Sequence, residues 1–171
     1  EKEIGTMEQL MVTPIRSWQL LVGKLFPFAV IGLIQAVLVI AVTVWGFDVP
    51  LAGSFALLLG LTMLFVLSTL GLGLLVSTVV QNQQQAMMGA AFVLMIPMIY
   101  LSGLLFPIEN MPRAIQYVTY AIPVRYYAEI LRGIFLRGSG LDVLWPQALA
   151  LLVMGVASMG LAALRFRKRL D

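Results

Sequence analysis

The sequence has no cysteine and no histidine among its 171 residues. The lack of cysteine rules out disulfides, thiol nucleophiles and thiolate metal sites in this chain, and the lack of histidine rules out imidazole acid–base chemistry. Charged residues are also scarce, at 11% against about 25% in an ordinary soluble domain. Hydrolytic or metal-dependent catalysis would therefore have few groups to use, and the chain is not expected to be an enzyme.

Hydrophobic residues are abundant instead. They make up 61% of the sequence, and the mean hydropathy is +0.98. A membrane-crossing helix needs about 20 mostly apolar residues to cover a hydrocarbon core of roughly 30 Å. Four segments meet this requirement and predict an all-α membrane protein, with spans at residues 18–46, 55–80, 86–106 and 143–164. The third contains Pro97, which predicts a kink.

The positions of the basic residues predict an orientation. Four cations, Arg165, Arg167, Lys168 and Arg169, directly follow the last apolar segment, and the positive-inside rule places such a cluster in the cytoplasm. An even number of spans would return the N-terminal segment, with Lys2, Arg16 and Lys24, to the same side. We therefore expect both ends of this sequence to be cytoplasmic.

Residues 1–14 form an amphipathic pattern ahead of the first span. Ile4, Met7 and Leu10 recur at helical spacing, with polar residues on the other faces. Pro14 disfavours the helical conformation at the preceding residue, so the helix is expected to end in an elbow before the first span. The pattern predicts a helix along the inner membrane surface.

Residues 107–141 are too long for a tight turn and too apolar for a solvated loop. Two helical patterns, at 113–122 and 124–137, are too short to cross a membrane and predict a re-entrant hairpin. In the second, Arg125, Glu129 and Arg132 share a face at i, i+4 and i+7, where they could pair with one another or form a solvated surface.

Polar residues inside the spans are few. Gln35 stands alone in the middle of the first span, where an amide can join helices or contact a substrate. Thr69, Gly73 and Ser77 form a stripe of small residues on the second span. We expect this stripe to pack within the subunit, with a dimer face as the alternative.

Two motifs resemble a known family. The first is Glu1-Lys-Glu-Ile-Gly-Thr-Met-Glu-Gln-Leu-Met-Val-Thr-Pro14, followed by Lys24 and an apolar span. The second is Asn110-Met-Pro112 with Pro123-Val-Arg-Tyr-Tyr-Ala-Glu-Ile-Leu-Arg-Gly133. Their order and the spans between them resemble the permease subunits of type-2 ATP-binding-cassette exporters, close to the bacterial multidrug-type members.

This resemblance implies roles for particular residues. The amphipathic helix would be the coupling helix that docks on the ATPase subunit, through Glu3, Gly5, Thr6, Glu8, Gln9 and Pro14. The hairpin would be an outer gate, with Pro123, Arg125, Tyr126, Glu129 and Arg132. A complete permease of this family has six spans, so residues 1–171 would be the C-terminal part of one transmembrane domain.

The resemblance also implies partners. ATP and magnesium would bind to a separate ATPase subunit, since this chain has no GxxxxGK[ST] phosphate-binding loop. A second permease copy, identical or a close paralogue, would complete the pathway in the bacterial inner membrane. Membrane lipid is the remaining partner, and nucleic acid is not expected.

The expected activity is export of a hydrophobic or amphiphilic molecule such as a drug, a lipid or a lipid-linked glycan. An ion-coupled secondary carrier is one alternative, but such carriers usually hold an ionisable group inside the membrane, and residues 25–45 and the other three predicted spans lack Asp, Glu, Lys and Arg. A membrane assembly protein that transports nothing is the other alternative.

Overall fold

The computed structural model describes residues 17–80 and 82–167, and all regular elements in that part of the chain are helices. The predicted coupling segment, residues 1–14, lies outside the described residues. In chain order the elements are α1 Ser17–Ala41 with a π-helical extension Val42–Gly46, α2 Phe55–Val79, α3 Gln83–Gly89, a π-helix Ala90–Met95, α4 Ile96–Tyr100, a 3-10 turn Ile108–Asn110, α5 Arg113–Thr119, α6 Pro123–Arg137 and α7 Leu141–Arg167.

Three helices in the described part of the chain are long and apolar enough to cross a membrane. They are Val22–Gly46, Phe55–Val79 and Leu141–Arg165. These correspond to the first, second and fourth predicted spans. Their surfaces expose large apolar side chains such as Phe26, Trp45 and Val156, as expected where lipid is the solvent.

The third predicted span is broken. Residues 83–100 are helical, but the helix widens to a π-helix over Ala90–Met95, directly before Pro97. Proline lacks an N–H group and its ring crowds the carbonyl of the preceding turn, and a π-bulge relieves both problems. The chain bends over residues 101–106, where Gly103 has φ 79°. The predicted span 86–106 is thus helical only to Tyr100, and the four-span count stays a prediction.

α2 and α7 pack most closely, because small residues on both helices let their backbones approach. A side-chain carbon added at Gly71 would lie 2.1 Å from the Ser158 hydroxyl oxygen. Ser68 donates a hydrogen bond to the Leu151 carbonyl oxygen on α7 at 2.6 Å. These contacts fix how α2 and α7 are aligned along each other.

The predicted stripe lies on a neighbouring face of α2. Gly73 has open space around its α-carbon, and Ser77 is exposed. Exposure within the described residues does not show what else in the subunit covers this face, so the expectation that Thr69, Gly73 and Ser77 pack within the subunit stays a prediction. α2 carries small residues on several faces, and helical spacing alone does not tell which face meets a neighbour.

A hydrophobic core forms where α2, α6 and α7 meet, with Leu58, Ile130, Ile134 and Leu151 fully buried. Outside this core, the α1–α2 loop contacts the C-terminal end of α6. The Ala52 amide donates to the Phe135 carbonyl at 3.4 Å. α6 is thus anchored at its C-terminal end and along one face.

Candidate functional site

Two short helices form near the limits predicted for the hairpin, and its re-entrant placement stays a prediction. α5 ends at Thr119 and α6 begins at Pro123, against predicted limits of 122 and 124. Pro123 occupies the first turn of α6, where its missing N–H group is harmless. α6 ends at Gly138, which has φ 60° and whose amide bonds to the Gly133 carbonyl.

The charged residues of α6 do not pair with one another. Arg125 Nη1 donates to the Thr119 hydroxyl, Gln147 Nε2 on α7 donates to Glu129 Oε2 at 2.8 Å, and Arg132 Nη2 donates to the Gly103 carbonyl at 3.1 Å. The predicted mutual pairing is therefore wrong within the described residues. The i, i+4 spacing permits such pairs, but each side chain finds a partner on a different segment that packs against α6.

Arg125 and Tyr126 brace the turn between α5 and α6. The Arg125 guanidinium carbon lies 4.0 Å from the centre of the Tyr120 ring, within cation–π distance. Tyr126 Oη donates to the Tyr120 carbonyl at 2.9 Å. Burial raises the pKa of Tyr126 above 10.0, so at neutral pH this hydroxyl keeps the proton that it donates.

An apolar cavity of about 550 Å³ lies between three helices. α1 lines it through residues 32–43, α2 through residues 62–66, and α6 through residues 127–136. Gln35, the predicted substrate contact, is among the lining residues. Arg132 is the one charged residue in the lining.

Sequence reasoning missed the aromatic pair beside this cavity. The rings of Phe65 and Tyr127 stack at a centroid distance of 4.2 Å with 6° between their planes. Thr62 donates to the Leu58 carbonyl at 2.7 Å and lies 2.9 Å from Tyr127 Oη, so Tyr127 is the donor in that second bond. No sequence signal joins Thr62 to Tyr127, because the contact spans 65 positions.

Burial also raises the pKa of Tyr127 above 10.0. The hydroxyl therefore stays protonated at neutral pH, as its role as a donor requires. The pair fixes the face that α6 turns toward α2.

A second cavity, of about 560 Å³, lies between the bent segment 102–109 and the hairpin. This polar cavity is lined by Glu109, Gln116, Arg125, Glu129 and Arg132, together with apolar residues such as Leu104 and Ile108. Arg132 thus lines both cavities.

The backbone carbonyl of Gly103 is the hydrogen-bond acceptor for Arg132. Its φ of 79° is a conformation that residues with side chains rarely adopt, and a side-chain carbon there would lie 3.0 Å from Ile108. The bend at Gly103 turns the carbonyl toward α6. Four of the five predicted gate residues, all but Pro123, therefore take part in side-chain contacts that tie the hairpin to itself or to neighbouring segments.

The predicted coupling residues Glu3, Gly5, Thr6, Glu8, Gln9 and Pro14 lie outside the described residues. Across residues 17–80 and 82–167, no group of three or more carboxylate side chains is placed to hold a metal ion.

The chain is similar to known membrane transport proteins. The family model "ABC-2 type transporter" matches residues 1–136. "Probable multidrug ABC transporter permease YbhS" of Escherichia coli (strain K12) is 42% identical over 171 residues, 100% of this chain and 45% of its own. "Probable multidrug ABC transporter permease YbhR" of the same strain is 38% identical over 169 residues, 99% of this chain and 46% of its own.

A more distant relative is "Linearmycin resistance permease protein LnrN" of Bacillus subtilis (strain 168). It is 28% identical over 164 residues, 94% of this chain and 42% of its own. No solved structure matches. This chain spans less than half the length of these curated relatives. Because the family model covers most of its residues and the described chain has helices long and apolar enough to cross a membrane, the chain belongs to the ABC-2 type transporter family of membrane proteins.

Proposed function

We propose that this chain is part of the permease of an ATP-driven exporter, and that it moves a hydrophobic or amphiphilic molecule out of the cytoplasm. The observation that carries the proposal is the apolar cavity between α1, α2 and α6. At about 550 Å³ it lies within the range of roughly 300–1,000 Å³ that small-molecule sites occupy. Gln35 supplies one amide in this wall and is proposed to contact the substrate.

Energy comes from a separate ATPase subunit, which binds ATP and magnesium. Family membership supports this partner, and the sequence has no phosphate-binding loop of its own. The coupling helix, residues 1–14, docks on that subunit through Glu3, Gly5, Thr6, Glu8 and Gln9. Pro14 sets the angle between this helix and the first span.

The chain crosses the membrane four times, and the broken segment is the third crossing. Its 18 helical residues, 83–100, rise about 27 Å at 1.5 Å per residue, close to the thickness of the hydrocarbon core. The bend over residues 101–106 completes the crossing. Both ends of the chain lie in the cytoplasm of a bacterial cell, and the membrane is the inner membrane.

The hairpin of α5 and α6 is a re-entrant outer gate. The side-chain contacts of Arg125, Tyr126, Glu129 and Arg132 support this role, because each joins the hairpin turn or connects the hairpin to a different segment. Pro123 starts the helix that carries all four. Movement of α6 would change both cavities at once.

Two permeases, identical copies or close paralogues, face each other across the pathway. Cross-linking of the full-length protein in membranes is expected to trap this pair. A transport-competent monomer would contradict the dimer without contradicting export.

The proposal is tested with inverted membrane vesicles that contain the full-length permease and its ATPase. ATP should drive accumulation of a neutral lipophilic dye, and an ATPase variant that binds but does not hydrolyse ATP should abolish it. Dye uptake driven by an ion gradient without ATP would favour the secondary carrier. A lack of uptake under either condition, with both proteins assembled, would favour the assembly protein.

A further inference from the structure

We infer that the exported molecule is an amphiphile with an acidic head group, and that Arg132 selects it by binding that group. The inference rests on the proposed export function and adds the chemical class of the substrate. The observation behind it is that an apolar cavity and a more polar cavity share one lining residue, the cation Arg132.

The apolar cavity fits the tail of such a molecule. The faces that α1 and α2 turn to it are built from side chains such as Val39, Phe65 and Val66. The polar groups Thr62 and Tyr127 satisfy each other, so they make little demand on a ligand. An alkyl chain entering this space would meet hydrocarbon on three helices.

Arg132 is the residue that lines both cavities. In the part of the chain that the structure describes, its guanidinium donates one hydrogen bond, to the Gly103 carbonyl, and forms no ion pair. A guanidinium has five N–H donors in a planar fork that matches a phosphate or carboxylate. Arg132 is exposed and therefore has donors available for an acidic group, which it would bind by a charge-assisted hydrogen bond.

Arg125 and Glu129, which also line the polar cavity, have different contacts from Arg132. Arg125 is engaged with Thr119 and the Tyr120 ring, so it braces the hairpin turn. Glu129 accepts a hydrogen bond from Gln147 and lines only the polar cavity. A head group whose tail lies in the apolar cavity would thus lie at Arg132, the charged residue that lines both cavities, whereas Glu129 lines only the polar one.

The experiment uses the full-length permease in lipid nanodiscs and two photoreactive probes. Both have the same long alkyl chain with a diazirine in it, and one ends in a phosphate, the other in an amine. Labelled peptides are located by mass spectrometry. The phosphate probe should label residues 32–43, 62–66 and 127–136. Its half-maximal concentration for this labelling should be about tenfold lower than that of the amine probe, because about tenfold is the factor expected for one charge-assisted hydrogen bond.

Arg132→Gln should remove this preference by raising the half-maximal concentration of the phosphate probe about tenfold while leaving the amine probe unchanged. Arg132→Lys should keep a preference for phosphate, since it keeps the charge but loses the bidentate geometry. Arg113→Gln is the matched control, because Arg113 is exposed on the same hairpin and lines neither cavity. It should behave as the wild type.

Equal labelling by the two probes, or a preference that survives Arg132→Gln, would overturn the inference. So would failure of the phosphate probe to label the three ranges, which is expected if another helix of the permease fills the cavity. ATP-driven uptake of the neutral dye separates this result from the proposed function. If the dye is exported while the phosphate preference is absent, the export function stands and the substrate class is wrong.

Discussion

Gly138 shows how one residue can fix the position of the hairpin. It ends α6 with φ 60°, and a side-chain carbon there would lie 3.0 Å from the Ala52 carbonyl oxygen of the α1–α2 loop. A left-handed conformation costs a residue with a side chain roughly 1–2 kcal/mol, and the contact with Ala52 adds to this. Gly138 is thus needed both for the end of the helix and for the packing of the loop.

Gly138→Ala should lower the free energy of unfolding of the permease by at least about 1 kcal/mol. The change is measured as a lower midpoint of thermal unfolding of the full-length protein in detergent. Gly73→Ala is the control, because nothing lies within 4 Å of a side-chain carbon at that position. An equal midpoint for Gly138→Ala and Gly73→Ala would show that the α6 end is not constrained as described.

The hydrogen bond between the side chains of Thr62 and Tyr127 is a second contact that a single substitution can remove. Thr62→Val removes the acceptor of the part-buried Tyr127 hydroxyl and should destabilise the protein by about 1–3 kcal/mol. Tyr127→Phe removes that hydroxyl altogether and should cost less. A double-mutant cycle on thermal stability measures the coupling, and additive effects would mean that the bond contributes nothing.

At the scale of the element, the coupling helix is proposed to transmit the ATPase stroke. Glu8→Lys should weaken co-purification of the ATPase or abolish substrate-stimulated hydrolysis, because charge reversal at a polar docking face opposes binding. Expression and membrane insertion should stay normal, since the site lies outside the bilayer. A Glu3→Lys, Glu8→Lys double variant that binds the ATPase and transports at the wild-type rate would reduce this helix to an interfacial anchor.

The hairpin is the second element that is proposed to move during transport. Glu129→Ala removes the acceptor that Gln147 Nε2 uses between α6 and α7, so transport should change or ATP hydrolysis should become poorly coupled to it. The protein should still insert into the membrane. Arg113→Ala is the control on α5. Wild-type transport by both Glu129→Ala and Arg125→Ala would mean that these charges form only a solvated face.

Long helices were predictable from sequence because their apolar length alone defines them. The predicted spans at 18–46, 55–80 and 143–164 match helices in the described chain to within a few residues. The third segment was harder, because its length suffices but a π-helix precedes Pro97 and the helix ends at Tyr100, before the bend at Gly103, where hydropathy stays high. Hydropathy measures transfer to lipid and does not register backbone constraints.

The candidate site was predictable only in part. Spacing along α6 placed Arg125, Glu129 and Arg132 correctly on one hairpin helix, and Gln35 does line the apolar cavity. Their partners could not be predicted, because Thr119, Gly103 and Gln147 belong to other segments. Contacts between elements depend on how helices pack, and a helical period describes only one helix at a time.

At the scale of the whole molecule, α6 links the proposed pathway to the rest of the bundle. It packs on α2 and α7 through the buried core and lines both cavities. The α1–α2 loop holds its C-terminal end. If the coupling helix moves α1, the α1–α2 loop is a direct connection by which that movement reaches α6.

This path requires the α1–α2 loop and the coupling helix to lie on opposite sides of the membrane, which the proposed orientation provides. The last prediction tests it with single cysteines, which are informative because residues 1–171 contain none. Ser54→Cys in the α1–α2 loop and Asn82→Cys before α3 are both at exposed positions, at opposite ends of α2.

A membrane-impermeant maleimide added to intact spheroplasts should label Cys only at position 54. Position 82 should react after permeabilisation, and any native cysteines elsewhere in the full-length protein are first replaced. Labelling of position 82 but not of position 54 in intact spheroplasts would invert the topology, placing the hairpin in the cytoplasm and ruling out its role as an outer gate.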